Sequence, residues 1–224
     1  MRIKTKRVAT LIKATLFFLV MMVVFICFPV THADDRGERG GVAFSFIGQV
    51  NNQAPNGVGN TSSQFGYLDS INGLDSVFTS SDPALQNEHT AMFTFNVDAV
   101  TVRKKLDGQI SIGNREGTFT IYQVGDPSMT DFSSPETFKQ GVSILTASLE
   151  QQVIADLTTA GFYVTNTLTV TGVQRFTVND QQYRLAKMGQ KFISTYSGRA
   201  NTTGTALPSG FLAGFAVASN KIDN

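Results

Sequence analysis

The stretch from Asn87 to Tyr122 constrains the fold of this chain more strongly than any other part of the sequence. Within it, Phe93, Phe95 and Val97 alternate with polar residues, which is the period-two pattern of a β-strand with one apolar face. An exposed row of two phenylalanines and a valine would form a sticky patch. We therefore expect Phe93 and Phe95 to point into the interior of a β-sheet protein.

The turns of this stretch define how its strands connect. Asp107-Gly108 tolerates the positive φ of a tight type I′ turn and predicts that the chain folds back as an antiparallel hairpin. A second turn is expected between Gly113 and Gly117, where Arg115-Glu116 would be solvated loop charges, and a third strand is expected through Phe119. The stretch therefore reads as a three-stranded meander.

One irregularity interrupts the alternation in the central strand. Val100 and Val102 have the opposite parity to Phe93 and Phe95, and the switch falls close to Asp98. A β-bulge at Asp98-Ala99 would account for it, either as a device that curves the sheet or as one that re-aims a side chain beside a site.

The remainder of the chain contains further strand signals separated by polar turns. They predict strands at 42–50, 65–68, 142–148, 164–173, 192–196 and 211–217, with a compact hairpin at 176–185. Ser134 followed by Pro135 predicts at most one short helix near 134–140. The fold class is therefore all-β, a single antiparallel β-barrel of about 8–10 strands, with a two-sheet β-sandwich as the alternative.

The first 33 residues have the pattern of a secretory signal peptide. Five basic residues up to Lys13 precede an apolar run from Leu16 to Val30, and small residues follow before two aspartates. The run is shorter than the roughly 20 residues that span a bilayer, so we expect cleavage after Ala33 and no stable membrane span afterwards. The protein is therefore expected to be secreted, or to be periplasmic or part of the cell envelope.

Removal of residues 1–33 changes the charge of the chain. Of the 18 Lys and Arg, the five before position 34 are lost, so 13 remain against 17 Asp and Glu, a net charge of −4. This mildly acidic composition gives no electrostatic footprint for nucleic acid. The only cysteine, Cys27, is also lost, and a chain of this size buries roughly 70% of its unfolded surface without disulfides. We expect a flexible leader at 34–41 and one β-barrel domain at 42–220.

Three local patterns carry a family resemblance. A Phe-rich first strand contains Phe44 and Phe46, a Phe-Thr-Phe sequence occupies 93–95, and a Gly-Thr-Phe-Thr sequence occupies 117–120. Together they resemble small secreted bacterial all-β proteins of no assigned function. The resemblance covers most of the chain after residue 33 and implies the fold class, but it carries over no catalytic residue.

The sequence offers few residues for chemistry. After cleavage His89 is the only histidine, so neither a multi-histidine nor a cysteine metal site can be assembled, and we expect no metal and no cofactor. No glycine-rich phosphate loop lies between a strand and a helix. Glu88 and His89 are adjacent, and in an extended strand their side chains would point to opposite faces. The protein is therefore more readily a binding protein than an enzyme.

Aromatic residues carry the one positive indication of function. Of the 18 phenylalanines, 14 remain after cleavage together with five tyrosines, and a barrel of about eight strands encloses either a filled core or one small ligand. The first hypothesis is a barrel that binds a small apolar ligand. Its candidate ligand-binding residues are Phe44, Phe46, Phe93, Phe95, Phe119, Tyr122, Phe192 and Phe215.

Two alternatives belong to other functional classes. The chain is a structural or interaction protein of the cell surface, or it is a cofactor-free cyclase or isomerase that acts on an apolar substrate. For the enzyme the candidate acids and bases are Glu88, Asp98 and Tyr122. An inward-facing carboxylate in a dry interior would distinguish the enzyme from the ligand-binding protein.

Overall fold

The computed structural model describes residues 41–53, 57–201 and 207–219 of the chain. The predicted signal peptide, and the predicted leader apart from Gly41, lie outside the described residues. Within the described residues, no helix combines the length and the apolar character needed to cross a membrane.

Ten β-strands make up most of the described chain. They are β1 (Val42–Asn52), β2 (Thr61–Ile71), β3 (Phe93–Asp107), β4 (Ile110–Gln123), β5 (Val142–Asp156), β6 (Gly161–Val173), β7 (Phe176–Val178), β8 (Gln181–Tyr183), β9 (Lys191–Ala200) and β10 (Gly210–Ser219). Three short 3-10 helices, Pro83–Leu85, Pro127–Met129 and Pro135–Lys139, lie in the connections, and the last of them is the short helix expected near 134–140.

Eight of the strands close into an antiparallel barrel with the order β1-β10-β9-β6-β5-β4-β3-β2. Closure depends on the pairing of β1 with β10, in which Val42 is the register partner of Val217 and Val50 that of Gly210. Pairing the first strand with the last removes both open sheet edges, which is the physical advantage of a barrel over an open sheet. The predicted barrel is confirmed, and the sandwich alternative is excluded.

The barrel has two ends that differ in their covering. At the hairpin end, β7 and β8 form a separate two-stranded sheet between β6 and β9, and Phe176 of β7 belongs to the barrel core. The opposite end, here called the loop end, carries the tight β3–β4 turn at Gly108 and the connections that follow β1, β5 and β9.

The second turn expected in the central stretch does not exist. β4 runs without interruption from Ile110 to Gln123, so the stretch forms one long hairpin with β3 instead of a three-stranded meander. Gly117 has a different role in this strand, because a Cβ at this position would collide with the backbone carbonyl oxygen of Asp98. The glycine therefore marks a close approach of two strands, which is another common use of glycine in a sheet.

The irregularity in β3 lies further along the strand than expected. The register with β4 shifts between Thr101 and Arg103, and both Ala99 and Thr101 are buried on the same parity as Phe93 and Phe95. The prediction of a bulge at Asp98-Ala99 is therefore wrong. Val100 and Val102 have the opposite parity because they face the outside of the barrel.

The connection between β4 and β5 covers part of the barrel's outer surface. Phe138 in the third 3-10 helix is fully buried, and its carbonyl oxygen accepts a hydrogen bond of 2.8 Å from Thr94 Oγ1 on the outer face of β3. Its ring lies 5.3 Å from Phe65 of β2 and 4.8 Å from Phe132. The connection therefore buries the part of the outer face around Phe65 and Thr94, and Thr94 is not solvent-exposed.

Candidate functional site

The interior of the barrel contains a cluster of five phenylalanine rings, here called the inner aromatic cluster. Its members are Phe44, Phe46, Phe95, Phe119 and Phe192, all of which are buried. Phe46 and Phe95 meet edge to face with ring centroids 5.2 Å apart, and Phe44 lies 5.8 Å from Phe192 and 6.0 Å from Phe119. Alternate side chains of a strand point to the same face, so β1, β3, β4 and β9 place these rings together inside the barrel.

Phe93 is buried on the same face of β3 but packs elsewhere. Its ring meets Phe176 of the β7–β8 hairpin edge to face at 5.3 Å, at the hairpin end of the barrel. Phe93 and Phe95 are 0% and 1% exposed, so the expectation that both are largely buried is confirmed. Only Phe95, however, belongs to the inner aromatic cluster.

Two of the eight candidate ligand-binding residues point away from the interior. Phe215 is 42% exposed on the outer face of β10, because the alternation places Ala216 inside and Phe215 outside. Tyr122 alternates with the fully buried Ile121 and is therefore on the outer face of β4. Neither residue contributes to an interior site. In β10 the periodic pattern was assigned to the wrong parity, whereas in β4 Tyr122 has the opposite parity to Phe119, so these two side chains cannot both point inward.

A row of polar residues crosses four adjacent strands inside the barrel. Arg115 of β4 is the register partner of Gln151 of β5, Gln151 that of Asn166 of β6, and Asn166 that of Ser194 of β9. All four side chains are buried. Together with Asn52, Ser62, Gln64 and Tyr196, they form the inner polar network.

Direct hydrogen bonds connect the members of this network. Tyr196 donates from its hydroxyl group to Gln64 Oε1 at 2.6 Å and accepts from Gln151 Nε2 at 3.1 Å. Gln151 Nε2 also lies 3.0 Å from Asn166 Oδ1, and Gln64 Nε2 donates to Gln151 Oε1 at 3.2 Å. Burial raises the pKa of Tyr196, so this phenol stays protonated and acts as a donor.

Tyr196 also joins the two halves of the interior. Its ring lies 6.0 Å from Phe46 of the inner aromatic cluster in an edge-to-face arrangement, while its hydroxyl group is part of the inner polar network. A tyrosine suits such a boundary because it combines an apolar ring with a polar tip. The interior is therefore divided into an apolar part and a polar part in direct contact.

Arg115 is the only charged residue among the buried residues of the described chain, and it is 7% exposed. Its Nη1 donates to Ser62 Oγ at 2.9 Å and to Gln151 Oε1 at 3.3 Å, and its Nη2 donates to Asn52 Oδ1 at 3.0 Å. These acceptors are all neutral, and no described carboxylate lies within 4.0 Å of the guanidinium. Burial lowers the pKa of Arg115, although an arginine stays charged in proteins.

The sequence interpretation missed Arg115 because it placed the residue in a solvated turn. In the structure β4 continues through this position, and the parity of Phe119 and Ile121 extends back to Arg115 and Ser111, which are also buried. Counting in steps of two from Phe119 to Arg115 was the signal that would have placed the arginine inside.

Comparison of the chain with protein-family models, with curated proteins and with solved structures finds no match. The geometry of the interior is therefore the basis for any functional conclusion.

The three candidate catalytic residues do not enter the interior. Asp98 is on the outer face of β3, where its carboxylate lies 3.6 Å from Lys139 Nζ, and Tyr122 is on the outer face of β4. Glu88 lies in the turn before β3, and its Oε1 is 3.7 Å from His89 Nε2, so these side chains do meet, contrary to the expectation for an extended strand. Among the described residues no aspartate or glutamate is buried, and no group of metal-ligating side chains is assembled.

A cleft of about 300 Å³ lies on the outside of the barrel, next to the connection that covers β2. Asn51 lines it from the outer face of β1, and the Oδ1 atom of Asn51 is buried without a hydrogen-bond partner among the described residues. The further lining residues of the cleft are Gln49, Phe65, Phe132, Ser133, Pro135, Leu207 and Pro208.

The outer face of the barrel differs in charge from one side to the other. β1, β10, β9 and β6 are adjacent and contain no aspartate or glutamate, whereas β2 to β5 carry all the acidic residues of the barrel strands. On the side without acidic residues, Phe211 is 54% exposed and Phe215 is 42% exposed. Ile47, Tyr163 and Ile193 are exposed there too, and we call this surface the neutral face.

Proposed function

We propose that this protein is a secreted or cell-envelope β-barrel that binds a small, largely apolar molecule in its interior. The observation that carries the proposal is the inner aromatic cluster, which adjoins the inner polar network at Tyr196. Small-molecule sites in proteins combine predominantly apolar and aromatic walls with a few placed polar groups that fix orientation. An eight-stranded barrel has the diameter to hold one such molecule.

The secreted location is proposed on the sequence of the first 33 residues, which precede the described structure. A barrel without cysteine after residue 33 is stable outside the cell only through its core and its closure. The closed hydrogen-bonding of eight strands and a continuous buried core supply both.

A titration with a fluorescent apolar probe, pyrenedecanoic acid methyl ester, tests this function. We expect saturable binding with a stoichiometry of about one, because the interior of a barrel this size holds a single molecule. Phe95→Ser should abolish the binding, whereas Phe215→Ser should leave it unchanged because Phe215 is outside the barrel. Unsaturable binding, or equal binding by both variants, would contradict the proposal.

A second function, association between copies of this chain at the cell surface, is favoured by the neutral face. The four strands β1, β10, β9 and β6 cover about 600 Å², taking about 4.8 Å per strand and about 10 residues of 3.3 Å each. A stable interface needs about 800 Å² per partner, so the face approaches that size. A second copy fits it because the face lacks acidic residues and has Lys191 and Arg199 only at the two ends of β9, so two chains that have lost residues 1–33 meet there without carboxylate repulsion. Sedimentation velocity of the purified chain tests this association.

A further inference from the structure

Arg115 is buried in the inner polar network without a counter-ion among the described residues. Burial of a charge without an opposite charge costs several kcal/mol, and neutral acceptors compensate only part of that cost. A glutamine or methionine in the same place would avoid the cost. The interior of this barrel therefore retains a positive charge that no described carboxylate balances.

Two of the five N–H groups of Arg115 have no acceptor among the described residues. Within the described chain, Nη1 directs its two N–H groups to Ser62 and Gln151, and Nη2 directs one of its two to Asn52. The Nε–H and one N–H of Nη2 remain. Nε and Nη2 form one edge of the planar group, and such an edge receives the two oxygens of a carboxylate in parallel.

The surroundings of Arg115 favour an anion that comes from the loop end. Thr101 is the register partner of Arg115, and β3 continues beyond it into a projecting hairpin with Arg103, Lys104 and Lys105 in succession. These three positions are exposed at the loop end of the barrel. The segment 103–107 also contains Asp107, whose carboxylate lies 3.5 Å from Lys105 Nζ, and its remaining net positive charge raises the local concentration of anions.

We propose that the molecule bound by this barrel carries a carboxylate, which pairs with the free edge of Arg115 while its apolar body packs on the inner aromatic cluster. This inference rests on the proposed binding function and names the class of ligand, an amphipathic organic acid. The neutral partners Ser62, Gln151 and Asn52 act as positioning residues, because they fix the guanidinium plane through the Nη atoms and leave the other edge available.

Matched acidic and neutral probes test this inference. Pyrenedecanoic acid and its methyl ester share the apolar body and differ only in the carboxylate. We expect the purified chain to bind the acid about 10- to 100-fold more tightly than the ester, since a charge-assisted hydrogen bond contributes about 1.5–3 kcal/mol and 1.4 kcal/mol is tenfold. Arg115→Gln should remove this preference, so that the variant binds the acid and the ester with about equal affinity.

Two further variants control for charge and folding. Arg115→Lys keeps a point charge but not the planar edge, so it should retain only part of the preference for the acid. Arg199→Gln removes an exposed arginine from β9 and should leave the preference unchanged. Circular dichroism identifies variants that do not fold. The comparison of acid with ester on the unaltered chain does not depend on the folding of any variant.

The outcomes separate this inference from the function on which it rests. If the unaltered chain binds acid and ester equally, the assignment to Arg115 is overturned while the binding function stands. If neither probe binds saturably, both are overturned. If the acid is preferred and the preference survives Arg115→Gln in a folded protein, the carboxylate binds elsewhere and the assignment is again overturned.

Discussion

The two phenylalanines of β3 that share one face have different neighbours. Phe93 packs against Phe176 at the hairpin end, where a separate small sheet covers the barrel. Phe95 packs against Phe46 and Phe119 in the middle of the interior, and Phe46 in turn contacts Tyr196 of the inner polar network. Their burial is the same, so a difference in the cost of removing them reports on what surrounds each ring.

Truncation of the two rings is expected to have unequal costs. Phe93→Ala should lower the free energy of unfolding by about 3–5 kcal/mol, the usual range for a tightly packed ring. Phe95→Ala should lower the free energy of unfolding by noticeably less, because water or a ligand can occupy the space that the removed ring leaves. Denaturant melts of both variants measure these values.

Phe215→Ala is the matched control for these truncations. This variant removes the same atoms from a ring on the outer face, so we expect the free energy of unfolding to change by no more than about 0.5 kcal/mol. Thr94 is unsuitable as a solvent-exposed control, because it is fully buried and bonded to Phe138. Equal losses at Phe93 and Phe95 would indicate a filled core and would count against a ligand site.

Tyr196→Phe tests the inner polar network by removing a single hydroxyl group. The change leaves Gln64 Oε1 without its 2.6 Å donor, so we expect a loss of about 1–3 kcal/mol in the free energy of unfolding near pH 7. Burial raises the pKa of Tyr196, so in the unfolded chain this phenol ionises first as the pH rises. The native chain therefore loses stability above about pH 10, and the variant lacks this loss.

The measurement is a pair of urea melts at pH 7 and at pH 11. We expect the stability difference between the native chain and Tyr196→Phe to shrink at the higher pH. The control is Tyr163→Phe, which removes a hydroxyl group from an exposed ring on the outer face of β6. A difference that stays constant for Tyr196→Phe would mean that its hydroxyl group is in contact with water.

At the scale of elements, the sequence predicts strands well but not where each one ends. The alternation at Phe93 and Phe95 correctly gave the strand and its buried face. Glycine was less informative, because it serves both tight turns and close strand contacts: Gly108 is a turn, but Gly117 lies within β4 against β3. Because Gly113 and Gly117 were interpreted as turn residues, β4 was predicted as two strands and Arg115 as a solvent-exposed turn residue.

The full length of β5 was also not predicted from the sequence. The residues from Leu149 to Leu157 carry helical spacing, yet β5 continues to Asp156. Its neighbours decide the outcome, since Gln151 is paired with Arg115 on one side and with Asn166 on the other. Polar residues inside a barrel break the apolar alternation, so a strand that contributes to a polar network is the kind that a hydrophobic pattern misses.

Only the apolar half of the candidate site could be predicted from the sequence. Phe44, Phe46, Phe95, Phe119 and Phe192 were identified from their alternation, and the structure brings these five together. The polar half depends on the register of eight strands around a closed sheet, which brings Gln64 of β2 next to Tyr196 of β9. Register across such distances is not encoded in local periodicity.

For the whole molecule, the division of charge around the barrel has the widest consequence. All six acidic residues of the barrel strands lie in β2 to β5, at Asp69, Asp98, Asp107, Glu116, Glu150 and Asp156. The neutral face has Lys191 and Arg199 at the ends of β9, and Ile193, Thr195 and Ser197 lie between them on the outer side of the strand. Exposed phenylalanines grouped on one surface are typical of surfaces that contact another protein.

Self-association through the neutral face is therefore expected when the purified chain is concentrated. Phe215 lies between Ser45 of β1 and Thr195 of β9 in register, near the middle of this face. Phe215→Lys removes an anchor and places like charges in the contact, so sedimentation velocity should show the variant as a monomer at concentrations where the native chain associates. Val100→Lys adds the same charge to the exposed outer face of β3 and should leave the association unchanged. A native chain that stays monomeric at about 100 μM, well above the micromolar dissociation constants of ordinary interfaces, would contradict association through this face.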